Sequence, residues 1–144
     1  MSRVDFYILP DAEVEPRLIF ACRLAEKAYR LGHRVHLHSA DAEQAGALDD
    51  LLWRFQTSSF VPHDVLESEQ AQSVAPVTIG WSSPPAAGRE VLINLAAQVP
   101  AFFAQFERVT EIVVQTPPVL QATRAAWRFY QERGCTPQRR DLRG

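Results

Sequence analysis

The chain has 144 residues, of which 47% are hydrophobic and 22% are charged. This length is typical of one domain and is sufficient to bury a core, so we expect a single domain over residues 1–144. The net charge of −2 gives no general attraction for nucleic acid, which argues against a protein that coats DNA.

The first residues, MSRVDFYIL, are interrupted by Asp5 and lack the basic region and long apolar stretch of a signal peptide. No later segment is long enough to span a bilayer, so a cytoplasmic location is expected. Cys22 and Cys135 are far apart and fit no zinc spacing. They are expected to be small buried or half-buried thiols, and a disulfide between them is disfavoured in the cytoplasm.

The first third of the chain predicts strand, helix, strand, helix, because apolar runs of strand length alternate with stretches of helical periodicity. The helix stop at Gly32 and the capping residue Asp41 mark two of the boundaries. The predicted elements are a strand at residues 4–9, a helix over 16–32, a strand at 34–39 and a helix over 42–53.

The rest of the chain continues this alternation. Residues 67–73 are polar and are expected to be mobile, and residues 82–88 form a Pro-rich turn. Two prolines, Pro117 and Pro118, start the last helix, which Gly134 ends. The predicted elements are strands at residues 77–81, 91–95 and 111–115 and helices over 100–106 and 117–134.

Strands that alternate with helices predict an α/β domain with a largely parallel central sheet covered on both faces. Such folds often bind nucleotides at a glycine-rich turn after the first strand. Here that turn reads PDAEVEP and carries three acids, and none of the six glycines forms a phosphate-binding motif. We therefore expect no phosphate-binding loop, no cofactor and no nucleotide-dependent enzyme.

Other candidate sites are weak. His36 and His38 share one face of a predicted strand, with His33 and His63 as further candidates, but the spacing fixes no third metal ligand. The acid pair Asp49 and Asp50 diverges by about 100° on its helix and is typical of a solvated face. Ser58 and Ser59 lack the surroundings of a nucleophile. We expect no metal and no catalytic residue.

The last helix carries a more informative pattern. Leu120, Arg124, Trp127, Arg128 and Gln131 fall on one face, whereas Ala122, Ala126 and Phe129 fall on the opposite face. The small apolar face is expected to pack on the sheet, so that Trp127 and the two arginines face outward. Residues 119–144 carry a net charge of +4, which leaves −6 for the remainder.

This basic patch has three interpretations. It can be a solvated helix end, since cations are favoured near a helix C-terminus. It can also bind an acidic peptide that ends in an aromatic residue, or single-stranded nucleic acid, because arginines bind carboxylates and phosphates and tryptophan accepts a ring. Composition does not separate these interpretations.

A second unusual stretch, LDDLLWRFQTSSFVPH over residues 48–63, places Trp53, Phe55 and Phe60 beside Val61 and Pro62. Large aromatic rings around a loop are unfavourable in water unless other residues cover them. That cover is either the protein's own core or a partner protein, since Trp and Phe are enriched at interfaces.

In order along the chain, DFYIL, GHRVHLHS, LDDLLW, SSFVPH, APVTIGW and REVLINL resemble the chi subunit family of bacterial DNA polymerase III. The resemblance runs nearly end to end and is carried by the order of these motifs. It implies a Rossmann-like three-layer sandwich without catalytic activity, which acts as a clamp-loader accessory. The implied partners are the psi subunit and the acidic C-terminal tail of single-stranded DNA-binding protein, which ends in Pro-Phe.

The resemblance also implies which residues bind. Arg124, Trp127 and Arg128 would bind the tail of single-stranded DNA-binding protein, although Trp127 and Arg128 replace an expected Tyr and Lys. The psi subunit, or a related helicase that competes with it, would bind a surface formed by Trp53, Phe60, Val61, Pro62 and His63. Residues 136–144 depart from the family, and we expect a short edge strand with a disordered end and no contact there.

The predicted function is thus a non-catalytic adaptor between psi and DNA coated by single-stranded DNA-binding protein. Two alternatives remain open from the sequence: direct binding of single-stranded DNA through the face with Arg124 and Trp127, and a helicase-associated adaptor in DNA repair.

Overall fold

The computed structural model describes residues 2–54, 61–66, 73–82, 84–85 and 88–144. Seven strands form one all-parallel sheet in the order β3-β4-β2-β5-β6-β1-β7, and three α-helices cover it. The strands are β1 (Arg3–Ile8), β2 (Val35–His38), β3 (His63–Val65), β4 (Val77–Gly80), β5 (Val91–Asn94), β6 (Arg108–Val113) and β7 (Gln138–Asp141); the helices are α1 (Glu15–Arg30), α2 (Ala42–Arg54) and α3 (Pro117–Glu132).

Two apolar clusters make the protein a three-layer α/β sandwich, as predicted. One cluster lies between the sheet and α1 with α2 and contains Leu37, Leu48 and Ile79. The other lies between the opposite sheet face and α3 and contains Phe6, Val109 and Tyr130. A short 3-10 helix, Ala101–Gln105, extends the second layer with Phe103.

The helix ends follow the sequence signals closely. Gly32 and Gly134 have φ angles of 87° and 84°, and each follows a helix as predicted. After α1, the Gly32 amide donates to Tyr29 and the next amide, of His33, donates to Ala28, which is a Schellman arrangement. Asp41 caps α2, since its carboxylate accepts a hydrogen bond of 2.8 Å from the Gln44 amide.

Buried polar groups tie α1 to the sheet. The guanidinium of Arg17 donates to the carbonyl oxygens of Ile112 at 2.8 Å and Leu95 at 3.2 Å. Cys22 packs against α2, and both it and Cys135 are buried free thiols, as expected. Burial raises the pKa of the Cys22 thiol to about 12.

Several boundaries differ from the predictions. The predicted strand at residues 111–115 is β6, which begins at Arg108 and ends at Val113, because its pairing with β5 starts at Arg108. The predicted helix over 100–106 is a 3-10 helix. β3 was not predicted, since its three residues follow a proline and form no apolar run. The edge strand expected within residues 136–144 is confirmed as β7.

Two expectations concern segments outside the described residues in whole or in part: the mobile stretch at 67–73, of which only Ser73 is described, and the turn at 82–88. In the described part of the chain, no helix is both long enough and apolar enough to cross a bilayer.

Candidate partner-binding sites

A cavity of about 550 Å³ lies between α3 and β7, above β1 and the end of β6. Its volume is within the range of about 300 to 1,000 Å³ that is typical of ligand pockets. The cavity has an apolar floor and a basic rim. The floor is formed by Phe6, Ile8, Val113, Leu120 and Trp127, and the rim by Arg124, Arg128, Arg139 and Arg143.

The three predicted tail-binding residues all line this cavity. Arg124 and Arg128 are exposed and stand one helical turn apart on α3. Trp127 lies between them in sequence and contributes an apolar wall. The helix therefore brings two cations and one ring to the same opening.

Trp127 does not face outward, which corrects the expectation from the helical pattern. Its ring is half-buried, and its centroid lies 5.0 Å from that of Phe6 on β1. The sheet-facing stripe of α3 runs through Ala126 and Tyr130, so Trp127 sits on the flank of that stripe rather than opposite it. Phe129 occupies the other flank, 5.7 Å from Phe103.

The rim is mainly positive. Within the described residues, Arg124, Arg128 and Arg139 take part in no ion pair. Arg143 is paired: its Nε and Nη2 atoms donate to the two carboxylate oxygens of Asp141 at 3.0 and 2.7 Å. These bonds lower the pKa of Asp141 to about 2, so it is ionised at neutral pH. An anion that enters the cavity therefore meets three arginines that form no ion pair with any described residue.

The second predicted surface lies at the other edge of the sheet, where α2 ends beside β3. Trp53 is 55% exposed near the end of α2. Its ring lies 5.1 Å from that of His63, in an edge-to-face arrangement. Pro62 is half-buried next to them. Phe60, which was also predicted to bind psi, lies outside the described residues.

Val61 and His63 support this surface from below. Val61 is 3% exposed and belongs to the core. The His63 side chain is 1% exposed, with Nδ1 2.8 Å from the Val61 carbonyl oxygen and Nε2 2.8 Å from the Asp49 carboxylate. The imidazole therefore bridges the Val61 carbonyl oxygen and the Asp49 carboxylate on α2. This holds β3 against α2 beneath Trp53.

His36 and His38 point to one sheet face, as the strand pattern predicted, but they pack beneath Phe102 of the 3-10 helix. Burial lowers the pKa of His36 to about 3 and that of His38 to about 4. His36 Nδ1 is bonded to the Thr78 hydroxyl at 2.8 Å. No group of three or more His, Cys, Asp or Glu side chains that could hold a metal ion occurs among the described residues.

Comparison with known proteins identifies the family to which this chain belongs. A family model described as "DNA polymerase III chi subunit, HolC" matches residues 1–138. The chain belongs to this family. It is 47% identical to the DNA polymerase III subunit chi of Pseudomonas aeruginosa over 134 residues, which cover 93% of this chain and 92% of the relative. It is 30% identical to that of Escherichia coli, over 93% of this chain and 94% of the relative.

The chi family match ends at residue 138, so Arg139 and Arg143 of the cavity rim lie beyond it. No partner contact was predicted for residues 136–144, and the structure places Arg139 and Arg143 of this segment in the cavity lining. A signal in the sequence was the alternation of Arg139 and Asp141 along the edge strand β7, which places both on one side.

Proposed function

We propose that this member of the chi family is a non-catalytic accessory subunit of DNA polymerase III. In this role it joins the psi subunit to the acidic C-terminal tail of single-stranded DNA-binding protein. Binding alone supplies the energy, without a catalytic residue, metal or cofactor. The role belongs to the cytoplasm, where bacterial DNA is replicated.

The observation that carries this proposal is the cavity between α3 and β7. A tail that ends in Pro-Phe presents a ring and a free carboxylate within one residue. The apolar floor with Phe6 and Trp127 suits the ring. Arg124 and Arg128 suit the carboxylate, since guanidinium groups bind carboxylates through paired, charge-assisted hydrogen bonds.

The surface around Trp53 supports the second half of the proposal. A tryptophan that is about half exposed at a helix end, with Pro62 beside it, has the composition of an interface hot spot. We assign psi to this surface, with Trp53 and Pro62 in contact and Val61 and His63 in support; Phe60, which lies outside the described residues, is a further predicted contact. A related helicase that uses the same surface would compete with psi.

Fluorescence anisotropy tests the tail site. A labelled peptide with upstream aspartates that ends in Pro-Phe with a free carboxylate is titrated with the wild type and with Arg124→Ala/Arg128→Ala. Loss of both arginines should weaken binding by about tenfold or more, because the carboxylate loses its charge-assisted hydrogen bonds to two exposed guanidinium groups.

Arg133→Ala is the matched control. Arg133 follows the same helix, but its guanidinium lies over the Phe129 ring at 4.6 Å and not at the cavity. This variant should bind the peptide almost as the wild type does. If the wild type ignores the peptide but binds a bare oligonucleotide, direct binding of single-stranded DNA replaces the proposal.

A further inference from the structure

The β7 side of the cavity carries a second pair of arginines. β7 pairs with β1 in a register that sets Arg139 beside Phe6 and Asp141 beside Ile8. Because side chains alternate across a strand, Arg139 and Asp141 lie on the cavity side of the sheet. Arg140 lies on the opposite side, where its Nε atom is 3.2 Å from the Asp5 carboxylate.

On the β7 side of the cavity, Arg143 binds a carboxylate of the protein itself, that of Asp141. Its guanidinium forms a two-pronged contact with both oxygens of Asp141, the geometry that arginine forms with free carboxylates. The Asp141 side chain is about 41% exposed, so it holds Arg143 at the surface, where an incoming carboxylate can replace it. Arg139 lines the same wall, and its charge acts on Asp141.

We propose that Arg139 and Arg143 form a second anionic subsite of the cavity, which binds acidic side chains upstream of the Pro-Phe end of the same tail. In this arrangement Arg124 and Arg128 on α3 bind the terminal carboxylate, and the preceding chain runs along β7. Asp141 occupies Arg143 in the free protein and competes with the ligand. This inference rests on the proposed function, since it adds contacts to the same ligand.

Charge and position favour a peptide with several carboxylates over one with a single terminal carboxylate. The two arginine pairs lie on separate elements, α3 and the β7 region, and both pairs line the cavity. The terminal carboxylate of a peptide that ends in Phe occupies one arginine pair. The other arginine pair is then available for carboxylates elsewhere in the peptide. Both β7-side arginines lie outside the segment that the family model matches.

The test compares two labelled peptides, one with upstream aspartates and one with asparagines in their place, both ending in Pro-Phe with a free carboxylate. Arg139→Gln/Arg143→Gln should weaken binding of the aspartate peptide by about fivefold, since exposed charge pairs each contribute only a small part of the affinity. Binding of the asparagine peptide should stay nearly unchanged. Asp141→Asn should strengthen binding of the aspartate peptide.

Arg140→Gln is the matched control, because it removes the same charge from the same strand but on the opposite face of the sheet. The subsite is wrong if Arg140→Gln weakens binding as much as the double variant does, or if the double variant weakens binding of both peptides equally.

The two proposals fail in distinguishable ways. If the wild type binds the aspartate peptide and loses it with Arg124→Ala/Arg128→Ala but not with Arg139→Gln/Arg143→Gln, only the subsite is overturned. If the wild type binds neither peptide, the proposed function fails and the subsite fails with it. Thermal unfolding of each variant verifies that the fold is retained.

Discussion

Glu111 is a buried carboxyl group in the layer between the sheet and α3. It lies on β6 beneath α3, where the Tyr130 hydroxyl donates to its carboxylate at 2.6 Å and the Asn94 amide donates at 2.9 Å. Burial raises its pKa from an ordinary 4.5 to about 7, against the lowering effects of these bonds and of Arg17. The protonated form is thus favoured by folding.

This pKa predicts a pH effect on stability. Between about pH 4.5 and pH 7 the folded protein binds more protons at Glu111 than the unfolded chain does, so this residue's contribution to stability falls as pH rises through that window. Glu111→Gln should remove a change on the order of 3 kcal/mol. Urea unfolding at pH 5 and pH 8 measures it.

The wild type must be compared with the variant at each pH, because His36 and His38 act in the opposite sense. Their folded pKa values of about 3 and about 4 lie below the ordinary 6.5, so their contribution is lost as pH falls below 6.5. An identical pH dependence in wild type and Glu111→Gln would contradict the assignment.

Trp53 carries the prediction for the psi surface. Trp53→Ala should weaken psi binding by about tenfold or more, since tryptophans dominate interface energies, while affinity for the tail peptide is retained. Isothermal titration with purified psi measures it. Leu31→Ala is the control, because Leu31 is an exposed apolar side chain, 67% accessible, at the end of α1. Equal effects of the two substitutions would contradict the psi assignment.

Among the secondary-structure elements, the helices were predictable because local signals define them. Gly32, Asp41 and Gly134 each act within one turn of a helix, and each lies at the predicted boundary. β3 was not predictable in this way. It is formed by pairing with β4 across a long loop, and its three residues carry no apolar pattern of their own.

The candidate site likewise has one part that was predictable from the sequence and one part that was not. Arg124, Trp127 and Arg128 were identifiable from one helix and from a family resemblance. Phe6, Arg139 and Arg143 reach the same cavity only because β7 adds to β1 at the sheet edge. The half-buried position of Trp127 likewise depends on Phe6, a contact between residues more than a hundred positions apart.

Two glycines test the account of the helices. Gly32→Ala should destabilise the protein by about 1 kcal/mol, because a φ of 87° is unfavourable for any residue with a Cβ. Gly46→Ala, within α2, should stabilise it by about 0.5 to 1 kcal/mol. A Cβ at either position meets no atom within 4 Å, so the contrast isolates backbone conformation. Thermal or urea unfolding measures both, and equal effects would contradict the account.

At the scale of the whole molecule, the two candidate surfaces lie at opposite edges of the sheet. One is beside β3 and the other beside β7, which are the two edge strands of the seven-stranded sheet. Six strand spacings of about 4.8 Å separate these edges by roughly 29 Å. Two partners can therefore occupy the protein without contact between them, which an adaptor requires.

The most direct test of this adaptor account is a ternary complex. A labelled tail peptide is first saturated with the protein, and unlabelled psi is then added while fluorescence anisotropy is recorded. A further rise in anisotropy is expected, since the peptide joins a larger complex, and the dissociation constant for the peptide should stay unchanged. Release of the peptide by psi, or no response from a protein that binds each partner alone, would contradict it.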